Sequence, residues 1–167
     1  MSVSATRSSL ISAFAHREIG ALTLILVFCK YCRMNFFANI PVADLDRSRA
    51  FFTALGWATD ERFGDVNAAC FVLDDGVHLM LTTRDFFAGL GDGSKQVGDP
   101  AATTLVAFAF DFPSRDDVDA FIERARGAGA KIGATDDYGF MYQRDFQDPD
   151  GHQFAPFWMD PAGPPAK

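Results

Sequence analysis

The apolar positions of this chain fall into runs of two alternating kinds, and the order of those kinds repeats. Residues 35–42 hold Phe36, Phe37, Ile40 and Val42 in a strand-like cluster, halted at Pro41 and the acidic turn 43–46. Asp44 or Asp46 can cap the helix that follows at 47–55, where Ala50, Phe51, Ala54 and Leu55 recur at helical spacing and Gly56 supplies the stop. Three short strand patterns come next, at 57–62, 68–73 and 77–83. Asp74-Asp75-Gly76 forms a hairpin signal between the last two.

After a short helical pattern at 84–90 and a Gly-, Asp- and Ser-rich stretch to Pro100, the series starts again. Residues 103–110 read as a strand. Ser114 with Asp117 resembles a capping box for a helix at 116–128, whose Val118, Phe121, Ile122 and Ala125 share a face ahead of Gly129. Strands are expected at 131–134, 140–146 and 153–159. The body is therefore βαβββ twice: module one at 35–83, a linker at 84–102, module two at 103–159, and a tail at 162–167. The expected class is α+β, each helix covering one face of a four-stranded sheet. The opposite faces are then free to curve around a shared cavity.

Composition narrows the function classes. The formal net charge is −7, while the first 33 residues hold Arg7, Arg17, Lys30 and Arg33 against Glu18 alone, so the acidity belongs to the body. An acidic body without a basic stripe excludes nucleic acid and anionic membranes as partners. Phe occurs 18 times, which points to an aromatic interior. Cys29-Lys-Tyr-Cys32 has no second pair or nearby His to complete a zinc site, and Cys70 sits in an apolar run as a core thiol. Nothing demands an oxidising compartment, and a cytoplasmic location is expected. Residues 1–33 differ abruptly in composition from the domain beginning at Met34. Their apolar run at 19–29 is short of the ~20 residues a membrane span needs. They are a dispensable extension, a targeting segment or translated upstream sequence.

Asp148-Pro-Asp-Gly151 is a tight turn delivering an aromatic-rich strand. That turn, the stretch Ile40-Pro-Val-Ala-Asp-Leu-Asp-Arg-Ser-Arg-Ala-Phe-Phe52, and Gly127-Ala-Gly-Ala-Lys131 resemble the glyoxalase/bleomycin-resistance/extradiol-dioxygenase (vicinal oxygen chelate) superfamily over about 34–161. Tyr138-Gly-Phe-Met-Tyr142, Arg144 and Phe157-Trp-Met-Asp160 resemble a bacterial subgroup labelled predicted lactoylglutathione lyases. The resemblance implies the paired-module fold, a homodimer and, in the metalloenzymes, a divalent ion held by four His, Gln or Glu side chains. Carried over by motif spacing, those four positions fall on Phe37, Met80, Leu105 and Ala155. None is a ligand for such an ion, so no metal and no cofactor is expected.

Other residues remain as candidates. His78 shares strand parity with Met80 and is either a general base, a ligand-bonding group or a rim histidine. Arg144 either clamps an anionic ligand group or pairs with Asp145, Asp148 or Asp150; with His78 it is the catalytic candidate. Asn39, Tyr138, Tyr142 and Gln153 complete the expected ligand-binding set, and His152 is expected to pack outside the cavity. The preferred expectation is a metal-free protein binding a small organic molecule in an apolar, aromatic cavity. A lactoylglutathione-lyase-like lyase or isomerase and a dimeric interaction module are the alternatives.

Overall fold

The computed structural model of the chain describes residues 34–164. The expected N-terminal extension, with its two cysteines and apolar run, lies outside the described residues. No helix among the described residues is long and apolar enough to cross a membrane.

Module one consists of β1 (Phe36–Val42), α1 (Leu45–Ala54), β2 (Ala58–Thr59), a 3₁₀ turn (Glu61–Phe63), β3 (Ala68–Asp74) and β4 (Val77–Thr83). After α2 (Arg84–Ala88), module two adds β5 (Ala107–Asp111), α3 (Arg115–Gly127), β6 (Lys131–Asp137), β7 (Met141–Gln147) and β8 (Gln153–Met159). The strand orders are β1-β4-β3-β2 and β5-β8-β7-β6, the same arrangement twice. In each sheet the outer first strand runs parallel to the central last strand, and the remaining pairs are antiparallel. The α+β double βαβββ expectation holds.

Local chemistry sets the element ends. Asp44 caps α1 by accepting from the Arg47 N–H, and Gly56 leaves that helix at a φ of 93° that a side chain would resist. Ser114 caps α3 by accepting from the Asp117 N–H, while its hydroxyl donates to the Asp117 carboxylate at 2.6 Å. The strand expected at 57–62 is cut to two residues because Asp60 turns the chain, its carboxylate taking the Arg62 N–H. β5 begins at Ala107 rather than 103 because its ladder partner, β8, starts at Gln153, opposite Ala107. β6 runs on to Asp137 because β7 pairs with it across a bulge between Ile132 and Thr135.

The two helix-covered faces are pressed together. Ile40, Leu79, Leu81 and Phe71 of sheet one, Phe51 and Phe52 of α1, Phe121 and Ile122 of α3, and Phe146 and Phe154 of sheet two form one buried cluster. Phe52 lies 5.6 Å from Phe154 and Phe51 lies 6.4 Å from Phe146, while Trp57 touches Phe110, Phe121 and Phe154. Ring contacts of this kind add directional preference to area burial. The order is thus sheet, helices, sheet, with the uncovered faces of both sheets on the outside. The shared cavity expected between those faces is not closed within one chain.

A polar clasp crosses the same junction. Asp150, in the turn before β8, accepts from the Ala43 N–H at 3.0 Å and from Arg47 Nη2 at 2.7 Å through Oδ1, and from Ser48 Oγ at 2.9 Å through Oδ2. Ser48 is fully buried, and the negative charge sits at the N-terminus of α1, where the helix dipole favours it. Gly151, at φ 98°, lets the linker pass so closely that an added Cβ would lie 2.8 Å from Ala101 Cα.

Removing this carboxylate leaves a buried hydroxyl and a guanidinium without their partner. Asp150→Ala is expected to destabilise the fold by about 2–4 kcal/mol in urea unfolding. Glu123→Ala, which breaks an exposed pair on α3, is expected to cost under about 1 kcal/mol. Equal effects of the two would refute the clasp.

Candidate functional site

The uncovered face of module one is read from register. Phe37 stands beside His78, Asn39 beside Met80, and Pro41 beside Thr82 across β1 and β4, while Val72 and Cys70 flank His78 and Met80 from β3. Phe37 and the His78 ring stack at 4.4 Å and 11°, and Phe63 meets Phe37 edge-on at 5.4 Å. His78 is only 9% exposed and its Nδ1 is buried with no hydrogen-bond partner among the described residues. The Nε atoms of Arg49 and Arg144 and the Oδ2 of Asp148 are in the same state. Asn39 donates to the Phe37 carbonyl at 3.3 Å and remains exposed. Cys70 lies beneath this face as a free, buried thiol whose pKa burial pushes up. Asp60 stands at the edge; the hydrogen bonds of Arg62 hold its carboxyl down at about 2, and His78 adds a smaller favourable charge effect.

The uncovered face of module two is more polar. By the same alternation it presents Ala107, Ala109 and Asp111 of β5, Gln153, Ala155 and Phe157 of β8, and Gln143, Asp145 and Gln147 of β7. A cleft of about 290 Å³ opens on it, lined by Lys131, Gly133, Asp145, Gln147 and Gln153.

Symmetry between the modules tests whether a metal fits. Met80 pairs with Asn39 two residues beyond the Phe37–His78 pair, as Ala155 pairs with Ala109 two residues beyond the Ala107–Gln153 pair. The third position is therefore Ala107. Leu105, inferred from motif spacing, precedes β5 and is 87% exposed. Phe37, Met80, Ala107 and Ala155 offer no imidazole or oxygen donor, and the described residues contain no cluster of His, Cys, Asp or Glu able to hold an ion. The donor set does not fit the family's metal.

Tyr142 and Arg144 share a face, but it is the helix-covered one. Both donate to Asp119 Oδ1 of α3, at 2.9 and 2.8 Å, so Arg144 pairs with none of the three aspartates expected from sequence. Burial opposes ionisation of Asp119, yet the bonds from Arg144 and Tyr142 hold its carboxyl below the ordinary range. Burial, then the bond to Asp119, pushes the Tyr142 phenol up. Arg115 completes this network, lying over the Tyr142 and Trp158 rings at 5.2 and 5.1 Å and paired with Asp137. Tyr138 is exposed in the loop before β7. The parity signal was present in the chain: Phe146, the large apolar residue of β7, is in step with Tyr142 and Arg144 and marks their side as the core side. His152 bonds the Pro41 carbonyl through Nε2 at 2.8 Å, outside both open faces as expected. Beside it, burial raises the pKa of Asp148.

Residues 33–155 match the model of the Glyoxalase/Bleomycin resistance protein/Dioxygenase superfamily, and the chain belongs to that family. No curated protein is matched by the sequence. Among solved structures, a hypothetical protein from S. aureus superimposes with a TM-score of 0.64 at 18% identity, covering 79% of this chain and 98% of its own. A lactoylglutathione lyase from Agrobacterium tumefaciens gives 0.57 at 16% identity, over 74% and 91%. A genomically encoded fosfomycin resistance protein from Listeria monocytogenes gives 0.55 at 18% identity, over 76% and 93%. At these identities the likeness establishes the fold.

The Asp60–Arg62 pair gives a direct electrostatic test. In a carboxyl NMR titration Asp60 should titrate at about 2, and in Arg62→Ala it should return toward the ordinary aspartate value. Because the folded carboxyl is depressed, its contribution to stability is present above the unfolded pKa. It is lost as pH falls through the folded one. An Asp60 unmoved by the substitution would contradict the arrangement.

Proposed function

We propose that this protein binds a small organic molecule, without a metal at the family's usual position, as a cytoplasmic homodimer. The observation that carries the reading is the chemistry of Phe37, Met80, Ala107 and Ala155. They replace a ligand set with apolar surface on the two open faces. Phe37, Phe63 and His78 supply flat walls for an aromatic group, and Asn39, His78 and Gln153 supply orienting hydrogen bonds.

The homodimer reading is supported by what one chain leaves open. β1 and β5 are edge strands, and each begins beside exposed apolar residues: Phe36 at 56%, Leu105 at 87% and Val106 at 55% exposure. Unpaired edges are templates for strand addition. Pairing β1 with the partner's β5 sets the aromatic face of module one against the polar face of the partner's module two. The free Cys70 thiol is consistent with a reducing compartment.

A second reading, a lactoylglutathione-lyase-like isomerase, rests on His78 as the acid–base group. It requires turnover of lactoylglutathione that His78→Gln abolishes. An interaction module is the reading left if the dimer forms and no compound stabilises it.

Protein exposed to nickel, zinc, iron and manganese and then desalted should retain no stoichiometric metal, and a chelator should leave its Tm unchanged. Bound metal lost together with activity on chelation would overturn the metal-free reading. In a thermal-shift screen, an aromatic ligand present at 100 times its Kd should add about 2.7 kcal/mol of stability. Phe37→Ala should weaken that ligand by about tenfold or more. The double variant Phe36→Glu, Val106→Glu should shift the chain from dimer to monomer in light scattering.

A further inference from the structure

The cleft on module two holds one cation and one anion that are not paired with each other. Lys131 stands opposite Gln147, which stands opposite Gln153, so the three side chains form a row across the sheet. Asp145 precedes Gln147 by two residues and shares its face. Lys131 and Asp145 are thus diagonal cross-strand neighbours, whose Cβ atoms ordinarily lie roughly 7–8 Å apart. Among the described residues Lys131 has no ion-pair partner. Asp145 is oriented by the Gln143 amide, which donates to Oδ1 at 3.0 Å.

Gly133 keeps the space between them open. A Cβ at that position would lie 3.1 Å from the Asp145 Cβ and 3.4 Å from its backbone carbonyl oxygen, so any side chain would crowd Asp145. Beyond Asp145 the face continues over Ala155 and Ala109, a low surface with room for a side group to pass. The cleft volume of about 290 Å³ suits a head group rather than a whole large ligand.

We infer that this cleft is a subsite for a zwitterion of the α-amino-acid type. Lys131 takes the carboxylate, Asp145 takes the ammonium, and Gln147 and Gln153 bond the polar atoms between. The inference rests on the binding reading above and deepens it, since the attached side group then runs toward the aromatic wall of the partner's module one. Specificity comes from the zwitterion meeting both protein charges at once, where a singly charged ligand meets only one.

Three probes of matched shape test it by calorimetry on the full chain: L-phenylalanine, phenethylamine and 3-phenylpropanoate. L-Phenylalanine should bind at least about tenfold more tightly than either singly charged probe. Lys131→Gln should reduce L-phenylalanine to the level of phenethylamine while leaving phenethylamine unchanged. Asp145→Asn should do the same relative to 3-phenylpropanoate. Equal binding of L-phenylalanine and either analogue, or a Lys131→Gln variant that weakens both ligands alike, overturns the inference. If uncharged aromatic compounds bind and none of the three probes does, the zwitterion subsite falls and the binding reading stands. If no compound binds at all, both fall.

Discussion

One carboxylate makes most of the side-chain hydrogen bonds described between the two halves of this protein, and His152 adds another to the Pro41 carbonyl. Asp150 belongs to module two by sequence, but its carboxylate accepts from module one: from the Ala43 N–H just ahead of α1, from the Arg47 guanidinium and from the hydroxyl of a fully buried serine. A helix N-terminus pointing into a junction carries N–H groups that must be met. Here the local cap, Asp44, accepts from the Arg47 N–H, and the distant carboxylate adds negative charge beside the same helix end. The ring contacts of Phe51 and Phe52 with Phe146 and Phe154 lie at the same junction.

Spending the helix-covered faces on each other has a functional result. The hydrophobic core is complete in one chain, so the open faces need not contribute to it and are free to carry recognition chemistry. The two faces have diverged accordingly. Module one offers stacked rings and a histidine with an unsatisfied nitrogen, while module two offers amides, a lysine and a carboxylate around a small-residue floor. Neither alone surrounds a ligand. An assembly that apposes unlike faces would combine a dry wall with a polar one.

Much of the fold was legible in the chain because its signals are local. Helical spacing at Val118, Phe121, Ile122 and Ala125, the Ser114 cap and the positive-φ glycines each depend on a few neighbouring residues, and the two long helices formed where their patterns lay. The site was legible only in part. Parity placed His78 with Met80 correctly, since both lie on one strand after a clear hairpin. The identity of Arg144's partner depended on how α3 crosses β7, which no local pattern encodes, and Asp119 was therefore invisible. Leu105 failed for another reason: spacing was carried across a linker whose strand start is set by Gln153 on the far side of the sheet. Which faces meet was the least legible feature, because helix-to-helix and open-to-open packing bury similar sequences.

The clasp and the close passage of the linker over Gly151 also bear on how the two repeats can diverge. The clasp is made by a turn of module two onto module one, so the two halves are not interchangeable as they stand. Severing the chain between them would leave α1 without its distant acceptor and Asp150 without its donors. Exchanging the order of the halves would pull Ala101 away from the glycine shaped to receive it. The repeats share one strand order, yet they form a unit that can vary at its outer faces but is committed to one partner within.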